Sequence, residues 1–308
     1  MTPFPRSDVW RSMLFVPATS DRFVESATRQ PADVLQIDLE DSVAPDQKEA
    51  ARQRVSAIAD RFAQAGYDVL VRVNRPWRQL VRDLEASVRH SVHAVTLPKV
   101  PDASAVRTVA EILADLENMA GLPIGHTQIV AMIEDAGGLH NMAEIAAAHS
   151  RVRGIIVGAE DLAVSMRMAV SEDSLYVPNV MAVAAARRAG VAPIGFIGSV
   201  ADFADDEAFR VKVERARGLG FEGAFCIHPK QVPIVNAAFA PDPEELKHAK
   251  ALLAEFERQL VAGRAAFAFK GRMVDLPVVE QARILVARAE AIQQLADRRE
   301  RQIKHIQE

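Results

Sequence analysis

Eight short apolar runs, separated by stretches with helical periodicity, constrain the fold of this sequence more than any other feature. Runs that are apolar at nearly every position are typical of parallel strands with both faces covered. Eight strand–helix units within roughly 230 residues predict an α/β fold, a closed (β/α)₈ barrel of ordinary size. An open, doubly wound sheet is the alternative arrangement of such units. The runs cover residues 13–17, 34–39, 69–73, 94–97, 129–133, 154–157, 193–197 and 224–227.

The stretches between the runs carry start and stop signals of helices. Residues 46–65, between the second and third runs, bring their apolar side chains onto one helical face. Asp46 with Glu49 has the spacing of a capping box, and Gly66 is a stop signal. The segment that starts at Asp102 repeats this design and predicts a second helix.

The alternation stops after Pro229, so we divide the chain into a barrel of residues 1–240 and a helical extension of residues 241–308. The apolar stripe of the extension needs a surface to cover, and we expect it to pack on the barrel and on a neighbouring subunit. Its polar end is expected to fray. The expected parts are a helix at 244–263, an irregular segment at 264–277, a helix at 278–295 and the fraying end at 297–308.

Composition excludes several classes of partner. The 37 basic and 41 acidic residues leave a net charge of −4 and are mixed along the chain, which favours neither nucleic acid nor an anionic membrane surface. Cys226 is the only cysteine, which excludes an internal disulfide and a thiolate metal cluster and is typical of a cytoplasmic protein. Residues 1–10 lack the apolar core of a signal peptide, and no apolar run approaches the roughly 20 residues of a membrane span.

Ionisable and polar residues follow most of the predicted strands. Barrel enzymes place their chemistry at the carboxyl ends of the strands, where side chains from different strands meet. Each of these residues alone has the plain interpretation of a solvated turn residue. Acids and bases that converge on one end of a barrel shift each other's pKa values, and together they predict a functional site. They are Glu40, Asp41, Arg72, Asn74, Lys99, Glu134, Asp135, Glu160, Asp161 and His228.

Glu134 and Asp161 follow two strands that are adjacent in the predicted barrel. Mg²⁺ commonly takes one or two carboxylates together with waters and substrate oxygens, and Mn²⁺ accepts the same kinds of ligand. The pair therefore predicts a Mg²⁺ site in which Mn²⁺ is able to replace the native ion. The alternative is that both acids cap the helices that follow them. Zinc is not expected, because one cysteine and a few scattered histidines supply no tetrahedral ligand set.

Two basic residues at the predicted site have two interpretations each. Arg72 has a planar guanidinium suited to a substrate carboxylate, or it forms an ion pair with Glu40 or Asp41. Lys99 is either the Schiff-base lysine of a metal-free aldolase or a lysine that pairs with the neighbouring acids. Borohydride trapping and loss of activity in EDTA distinguish these two chemistries.

A series of short motifs runs through nearly the whole chain. They are RSMLFVP (11–17), IDLEDSV (37–43), VRVN (71–74), LPK (97–99), GAEDL (158–162), IHP (227–229) and GRMVDLP (271–277). In this order they resemble the citrate lyase β-subunit-like family of the HpcH/HpaI aldolase/citrate lyase superfamily. The resemblance implies a Mg²⁺-dependent barrel that makes or breaks the C–C bond of a malyl-CoA, citramalyl-CoA or citryl type of β-hydroxyacyl thioester. CoA or an acyl carrier would hold the thioester, and a small oxo-acid would be released.

The resemblance also implies roles for particular residues. These roles are metal ligation by Glu134 and Asp161, carboxylate binding by Arg72, further substrate contacts by Lys99 and Arg11, hydrogen bonds to metal-bound water from Glu40 and Asp41, and acid–base catalysis by Asp275. In family trimers the acid at this last position often reaches a neighbouring subunit's site, so we expect a homo-oligomer, a trimer or a hexamer. The plain interpretation of Asp275 is a helix-start acid before Pro277.

Three hypotheses about activity follow from these residues. The first is a C–C lyase that releases an acyl thioester and an oxo-acid. The second is a thioesterase that uses the same site and releases the intact hydroxy acid. The third, from a different class, is a catalytically silent barrel that serves assembly, and the retained acids and Arg72 argue against it.

Overall fold

Eight parallel strands form the centre of the molecule. A computed structural model describes residues 9–202 and 204–307. Each strand pairs with the next along the chain, the first also pairs with the eighth, and a bridge between Ile194 and Gly223 closes the ring. The strands are β1 (Ser12–Pro17), β2 (Val34–Asp38), β3 (Asp68–Arg72), β4 (Ala94–Leu97), β5 (Gln128–Ile133), β6 (Val152–Val157), β7 (Ala192–Ile194) and β8 (Ala224–Cys226). The predicted (β/α)₈ barrel is confirmed, and the open sheet is wrong.

Helices cover the outside of this barrel. These helices are α1 (Asp21–Ala27), α2 (Lys48–Gln64), α3 (Trp77–Ser87), α4 (Ala103–Met119), α5 (Ala136–Ala146), α6 (Ala159–Met166), α7 (Glu172–Ala189), α8 (Asp206–Leu219) and α9 (Gln231–Ala238). Two of them, α6 and α7, follow the sixth strand. Within residues 9–202 and 204–307, no helix has both the length and the apolar character needed to cross a membrane.

Two of the helix signals predicted from the sequence are confirmed, and one is wrong. Asp102 caps α4 by accepting a hydrogen bond from a main-chain N–H, and Gly66 follows the end of α2 with φ of 87°. The capping box predicted at Asp46 is wrong. A 3₁₀ turn over Pro45–Gln47 precedes α2 and puts Gln47 in the N-cap position, where its side chain forms no cap. The proline favours this extra turn, because its fixed φ suits the first position of a helical turn.

Apolar cores lie on both faces of the sheet. The larger core fills the space between the strands and the surrounding helices. The smaller core fills the barrel interior and includes Trp10 and Met13 near its amino-terminal end. Towards the carboxyl ends of the strands it includes Met132, Ile156 and Phe225, which are also the floor of a cavity.

A C-terminal arm follows the barrel. It consists of α10 (Pro243–Val261), the antiparallel strands β9 (Phe267–Phe269) and β10 (Arg272–Val274), and α11 (Leu276–Gln307). The prediction of an irregular segment at 264–277 is wrong where these two strands pair, and Gly271 with φ of 79° lies in their turn. The arm has an apolar core of its own, formed by Ala249, Leu252, Phe256, Val274, Val279 and Ala282. The division at residue 240 and the packing on a neighbouring subunit stay predictions.

The far end of α11 packs against the amino-terminal end of the barrel. Arg298 Nη2 donates to Asp68 Oδ1 at 2.8 Å, and Arg299 Nη2 donates to the carbonyl oxygen of Asp33 at 2.7 Å. Asp68 opens β3 and Asp33 directly precedes β2, so the helix covers the end where the strands begin. The predicted fraying of 297–308 is wrong for residues 297–307, because α11 continues to Gln307 and Arg298 and Arg299 bind groups that are far away in sequence. Residue 308 lies outside the described residues.

Candidate metal and substrate site

A cavity of about 470 Å³ opens at the carboxyl ends of the barrel strands. A concave space of this size is typical of a small-molecule site. Apolar side chains form much of its lining, and carboxylates from several strand ends face it. Its ionisable lining residues are Asp38, Asp41, Arg72, Glu134, Glu160 and Asp161. The structure thus brings together five residues that the sequence placed at strand ends, together with Asp38, which the sequence did not single out.

Glu134 directly follows β5, and its carboxylate is buried in the cavity. Its Oε2 accepts a hydrogen bond from the main-chain N–H of Lys99 at 2.7 Å. A Cβ added at Gly158 would lie 2.5 Å from Glu134 Cγ, which explains why a glycine stands at the start of the GAEDL motif. Burial raises the pKa of Glu134 to about 7, because desolvation disfavours the charged carboxylate. A cation bound here would stabilise the charged form.

Asp161 enters the same cavity from the first turn of α6, the helix after β6. Its Oδ2 lies 3.3 Å from Lys99 Nζ, so Asp161 and Glu134 both contact Lys99. Neither acid occupies a helix N-cap: that position belongs to Asp135 in α5 and to Gly158 in α6. Asp135 therefore has the capping role in α5, while Asp161 lies in the first turn of α6, where an acid is favoured, without forming a cap.

Arg72 is held by three carboxylates. Its Nε and Nη2 donate to the two oxygens of Asp38 at 2.7 and 2.8 Å, and its Nη1 donates to Asp41 Oδ2 at 3.1 Å. Its Nη1 also lies 3.0 Å from Glu40 Oε2. The guanidinium packs over the ring of Phe15, with 4.6 Å to the ring centroid. Burial alone would lower the pKa of Arg72, but the three acids outweigh it and raise the pKa further above its usual value.

Glu40 is the residue whose hydrogen bonding is incomplete. Its Oε1 accepts a hydrogen bond from Lys99 Nζ at 2.8 Å. Its Oε2 is buried and accepts no hydrogen bond from the described part of the chain. Its contact with Arg72 Nη1 at 3.0 Å is an ion pair and not an aligned hydrogen bond. A buried oxygen that accepts no hydrogen bond is costly, and a water held by a neighbouring cation would supply one. Burial raises the pKa of Glu40 against the opposing effect of Arg72.

Lys99 has a backbone φ of 51° and directs its ammonium to two acids, Glu40 and Asp161. Burial alone would lower the pKa of Lys99, but the neighbouring carboxylates outweigh it and raise the pKa. A Schiff-base lysine needs the opposite, a lowered pKa that leaves the amine neutral. The geometry therefore favours the ion-pair interpretation of Lys99 over the aldolase one.

The donor set fits a magnesium ion. Within residues 9–202 and 204–307, no group of three or more His, Cys, Asp or Glu side chains is arranged to enclose a metal. Mg²⁺ does not require such a group, since it keeps several waters and commonly binds through one or two carboxylates. Glu134 and Asp161 supply two, and Glu40 Oε2, which accepts no hydrogen bond from the described residues, supplies an acceptor for a coordinated water.

Glu160 and Ser199 form a contact that the sequence did not indicate. Ser199 Oγ donates to Glu160 Oε1, and Glu160 faces the cavity next to Asp161 in the chain. The hydroxyl comes from the loop after β7, so the contact joins the sixth and seventh strand ends. No periodicity links the two residues in the sequence, and only the barrel brings them together.

The prediction that Arg11 contacts substrate is wrong. Arg11 directly precedes β1 and therefore lies at the amino-terminal end of the barrel, opposite the cavity. Its Nε and Nη2 donate to the two oxygens of Asp33 at 2.8 and 2.9 Å. This fork-to-fork pair ties β1 to the start of β2, which is a structural role.

Asp275 does not line the cavity of its own chain. It lies in the C-terminal arm directly before α11, where its Oδ1 accepts a hydrogen bond from the N–H of Val278 at 3.4 Å. This is the helix-start position that its plain interpretation describes. Acid–base catalysis by Asp275 therefore requires that the arm reach the cavity of another copy.

The chain is similar to a known protein family and to named relatives. The model of the HpcH/HpaI aldolase/citrate lyase family matches residues 11–229. The chain is 32% identical over 303 residues to the L-malyl-CoA/beta-methylmalyl-CoA lyase of Rhodobacter capsulatus, covering 91% of this chain and 94% of that one. It is 34% identical over 285 residues to the citrate lyase subunit beta of Escherichia coli K12, covering 91% and 93%.

The fold is similar to that of solved structures. The protein CitE from Mycobacterium tuberculosis, in complex with magnesium, acetoacetate and coenzyme A, superposes with a TM-score of 0.68 at 31% identity, covering 91% of this chain and 97% of that one. RipC from Yersinia pestis superposes with a TM-score of 0.64 at 27% identity, covering 78% of this chain and 99% of that one.

Proposed function

Because this chain belongs to the HpcH/HpaI aldolase/citrate lyase family, we propose that it is a Mg²⁺-dependent C–C lyase of β-hydroxyacyl thioesters. The observation that carries the proposal is that Glu134 and Asp161 face one cavity together with Arg72. The thioester is attached to CoA or to an acyl carrier, and cleavage releases an acyl thioester and a small oxo-acid. The lyase names of two relatives and the magnesium and coenzyme A bound to a third support this assignment.

Glu134 and Asp161 are the residues that would hold the ion. Glu40 and Asp41 would accept hydrogen bonds from waters of that ion, Glu40 through Oε2, which accepts none from the described residues. A bound Mg²⁺ supplies Lewis-acid polarisation of the oxo-acid oxygens, and Mn²⁺ is able to supply the same chemistry. The ammonium of Lys99 pairs with Glu40 and Asp161 and balances part of their negative charge.

Arg72 binds the carboxylate of the oxo-acid part of the substrate. Its guanidinium has five N–H donors, and its hydrogen bonds to Asp38 and Asp41 use three of them. Asp38 is buried and binds one edge of the guanidinium, through Nε and Nη2. The side chain of Asp41 is 58% exposed, so a substrate carboxylate displaces Asp41 at lower cost than Asp38.

Proton transfer is assigned to Asp275 of a second copy in a homo-oligomer, a trimer or a hexamer. As the C–C bond breaks, its electron pair moves to the α-carbon of the thioester and forms an enolate. Asp275 takes the proton of the β-hydroxyl group, whose oxygen becomes the carbonyl oxygen of the oxo-acid, and passes that proton to the α-carbon. In the reverse direction it removes a proton from that carbon and returns it to the oxygen. The thioester is essential, since a plain carboxylate stabilises the enolate far less.

Product analysis tests the proposed reaction. Purified protein with Mg²⁺ is incubated with a panel of β-hydroxyacyl-CoA compounds, and the products are identified by mass spectrometry. We expect an acyl-CoA and an oxo-acid, complete loss of turnover in EDTA, and no borohydride-trapped adduct on Lys99. Release of an intact hydroxy acid with free CoA would identify a thioesterase, and no turnover of any compound would support a silent barrel.

Subunit mixing tests the role of Asp275. We expect Asp275→Asn and Glu134→Gln each to abolish turnover as pure proteins. If Asp275 acts in another copy's cavity, unfolding and reassembling the two variants together restores part of the activity, because some sites receive both native acids. An active Asp275→Asn protein would remove Asp275 from the mechanism.

A further inference from the structure

One carboxylate of the cavity has no part in the proposed reaction. Glu160 lines the cavity directly before Asp161, in the first turn of α6. The other four lining carboxylates each contact Arg72 or Lys99. Glu160 forms no ion pair within the described part of the chain, and its carboxylate accepts a hydrogen bond from the hydroxyl of Ser199 instead. The role of Glu160 therefore depends on what this hydroxyl does.

We propose that Ser199 is a positioning residue that holds Glu160 away from the ion of the proposed metal site. The ion then has two carboxylate ligands, Glu134 and Asp161, and keeps open positions for the oxo-acid and for water. Ser199 lies outside the motifs on which the family resemblance rests, so those motifs do not by themselves supply this contact. The inference rests on the proposed function, since it concerns the ion of that function.

The first support is that two neighbouring acids, Glu160 and Asp161, are held in opposite directions. The strands β4, β5, β6 and β7 lie side by side in this order, and both acids follow β6. Asp161 Oδ2 lies 3.3 Å from Nζ of Lys99, which follows β4, on the side where Glu134 follows β5. Glu160 is bound to Ser199 in the loop after β7, on the opposite side. The hydrogen bond therefore separates Glu160 from the predicted metal pair.

The second support is the fixed orientation of the hydroxyl. Ser199 is 8% exposed, and its Oγ accepts a hydrogen bond from the main-chain N–H of Ala201 at 3.0 Å. This bond uses an acceptor position of the hydroxyl, and the single hydroxyl hydrogen is donated to Glu160 Oε1. A hydrogen bond to an ionised carboxylate is stronger than one between neutral groups, and burial of Ser199 shields this one from competing water.

The third support is the anchoring of the loop that carries Ser199. The carbonyl oxygen of Val200 accepts a hydrogen bond from Nε2 of the buried Gln231 at 3.0 Å. Gln231 Oε1 in turn accepts hydrogen bonds from two main-chain N–H groups directly after β8. Because the loop is fixed to the neighbouring strand end, Ser199 has a defined position and draws Glu160 towards the loop.

Without this hydrogen bond, Glu160 would be free to become a third carboxylate ligand, because it faces the same cavity as the metal pair. A further negative ligand raises the affinity of an oxygen site for a divalent cation. It also displaces a water and lowers the net positive charge that polarises the oxo-acid. The hydroxyl of Ser199 therefore favours turnover over the tightest binding of the ion.

Ser199→Ala tests the inference, and the double variant Ser199→Ala with Glu160→Gln is its control. With the full chain, we expect calorimetry to show about tenfold tighter binding of Mg²⁺ to Ser199→Ala, and kcat to fall by about tenfold or more. The double variant should lose the gain in affinity, because an amide brings no charge to the ion. A merely structural role of Ser199 would leave Mg²⁺ binding unchanged or weaker in Ser199→Ala, and either result would overturn the inference.

The number of waters on the ion gives a readout that does not depend on turnover. Mn²⁺ is loaded in place of Mg²⁺, and the relaxation of water protons reports how many exchangeable waters the ion carries. We expect one water fewer in Ser199→Ala than in wild type, and the wild-type number in the double variant. The same number in Ser199→Ala and wild type would show that Glu160 does not reach the ion, against the inference.

Glu134→Gln separates this inference from the proposed function. If Glu134→Gln binds Mg²⁺ as tightly as wild type, the metal site itself is wrong, and the proposed function and the role of Ser199 fail together. If Glu134→Gln binds Mg²⁺ more weakly while Ser199→Ala binds it no more tightly than wild type, the metal site stands and only the role of Ser199 is wrong.

Discussion

Two buried glutamates lie near the two ends of β5, and their surroundings differ. Glu117, near the start of the strand, accepts hydrogen bonds from Nη1 and Nη2 of Arg151 at 2.7 Å each, and from the N–H groups of Thr127 at 2.7 Å and Gly125 at 2.8 Å. Glu134, after the strand, accepts one hydrogen bond from the described chain, at 2.7 Å. Burial by itself does not distinguish the structural acid of this pair from the functional one. The number of hydrogen bonds that each carboxylate accepts does distinguish them.

The pKa values follow the same division. Burial would raise the pKa of Glu117, but its hydrogen bonds outweigh that effect and hold the pKa below its usual value. For Glu134 burial prevails and raises the pKa to about 7. Glu117, at the amino-terminal end of the barrel, is thus satisfied by the protein's own donors, and Glu134, at the carboxyl end, is left available for a ligand.

The largest expected effect is on turnover in Glu134→Gln. The amide keeps the shape of the side chain and removes the negative ligand, so we expect kcat to fall by about 10²–10³-fold or more. Mg²⁺ affinity should fall with it, and the metal-free protein should be at least as stable as wild type at pH 8, because no charge is buried. Kinetics, calorimetry and thermal unfolding check these outcomes. Unchanged Mg²⁺ affinity would refute the ligand assignment.

The same substitution at the other end of β5, Glu117→Gln, should lower the stability of the fold and leave turnover unchanged. It leaves the buried Arg151 without its carboxylate, and breaking a buried pair of this kind costs about 3–5 kcal/mol. Chemical unfolding should report this loss, while kcat per folded molecule stays at the wild-type value. A variant that kept its stability and lost turnover would break the comparison between the two ends.

The next expected effect is the dependence of metal binding on pH. Since Glu134 has a pKa of about 7 in the metal-free protein, Mg²⁺ must displace a proton below that pH. Its affinity should rise by about tenfold per unit up to pH 7 and then level off. Calorimetry from pH 5.5 to 8.5 measures this slope, and a flat profile would contradict the pKa shift.

The same two pKa shifts give stability effects of opposite sign. A raised acid pKa favours the folded metal-free state at low pH, and Glu134 loses this contribution as the pH rises through about 7. Glu117, with a lowered pKa, contributes above its unfolded pKa near 4.5 and loses its contribution as the pH falls below that value. Unfolding curves of the two Gln variants should each lack one of these dependences.

The smallest expected effect is in Asp135→Ala, one residue from Glu134. Asp135 caps α5 by accepting from the N–H of Gly138 at 2.6 Å, and loss of such a cap costs about 1 kcal/mol. Mg²⁺ affinity should not change. Asp135→Asn, which retains a capping oxygen, serves as the control and should lose less stability. Weaker metal binding in the alanine variant would show that the structural and functional acids are not separable.

Much of the barrel was predictable from the chain alone. All eight apolar runs became strands, and β4 has the predicted bounds of 94–97. The arm was harder to predict: its last residues are polar, so the sequence indicated fraying. In the structure, Arg298 and Arg299 find partners at the barrel end, more than 200 positions away. Hydrophobic periodicity does not encode such polar contacts.

The candidate site was predictable in part. Arg11 and Arg72 both flank strands, but Arg11 precedes its strand and Arg72 ends one, and that difference was available in the sequence. Asp38, the last residue of β2, was missed because it lies inside the apolar run of residues 34–39, where an acid is itself a signal. The bonds of Asp38 to Arg72 depend on the pairing of β2 with β3, which places the two residues in register.

By itself the sequence determined which acids follow a strand. All strands of a parallel barrel run in the same direction, so an acid that follows a strand lies at the carboxyl end of the barrel. Only the tertiary structure decided which of those acids are satisfied by the protein and which are left with an open oxygen. Hydrogen bonds at the barrel ends join residues from different strands and from the arm. Their number at each carboxylate depends on which strands the closed barrel brings side by side.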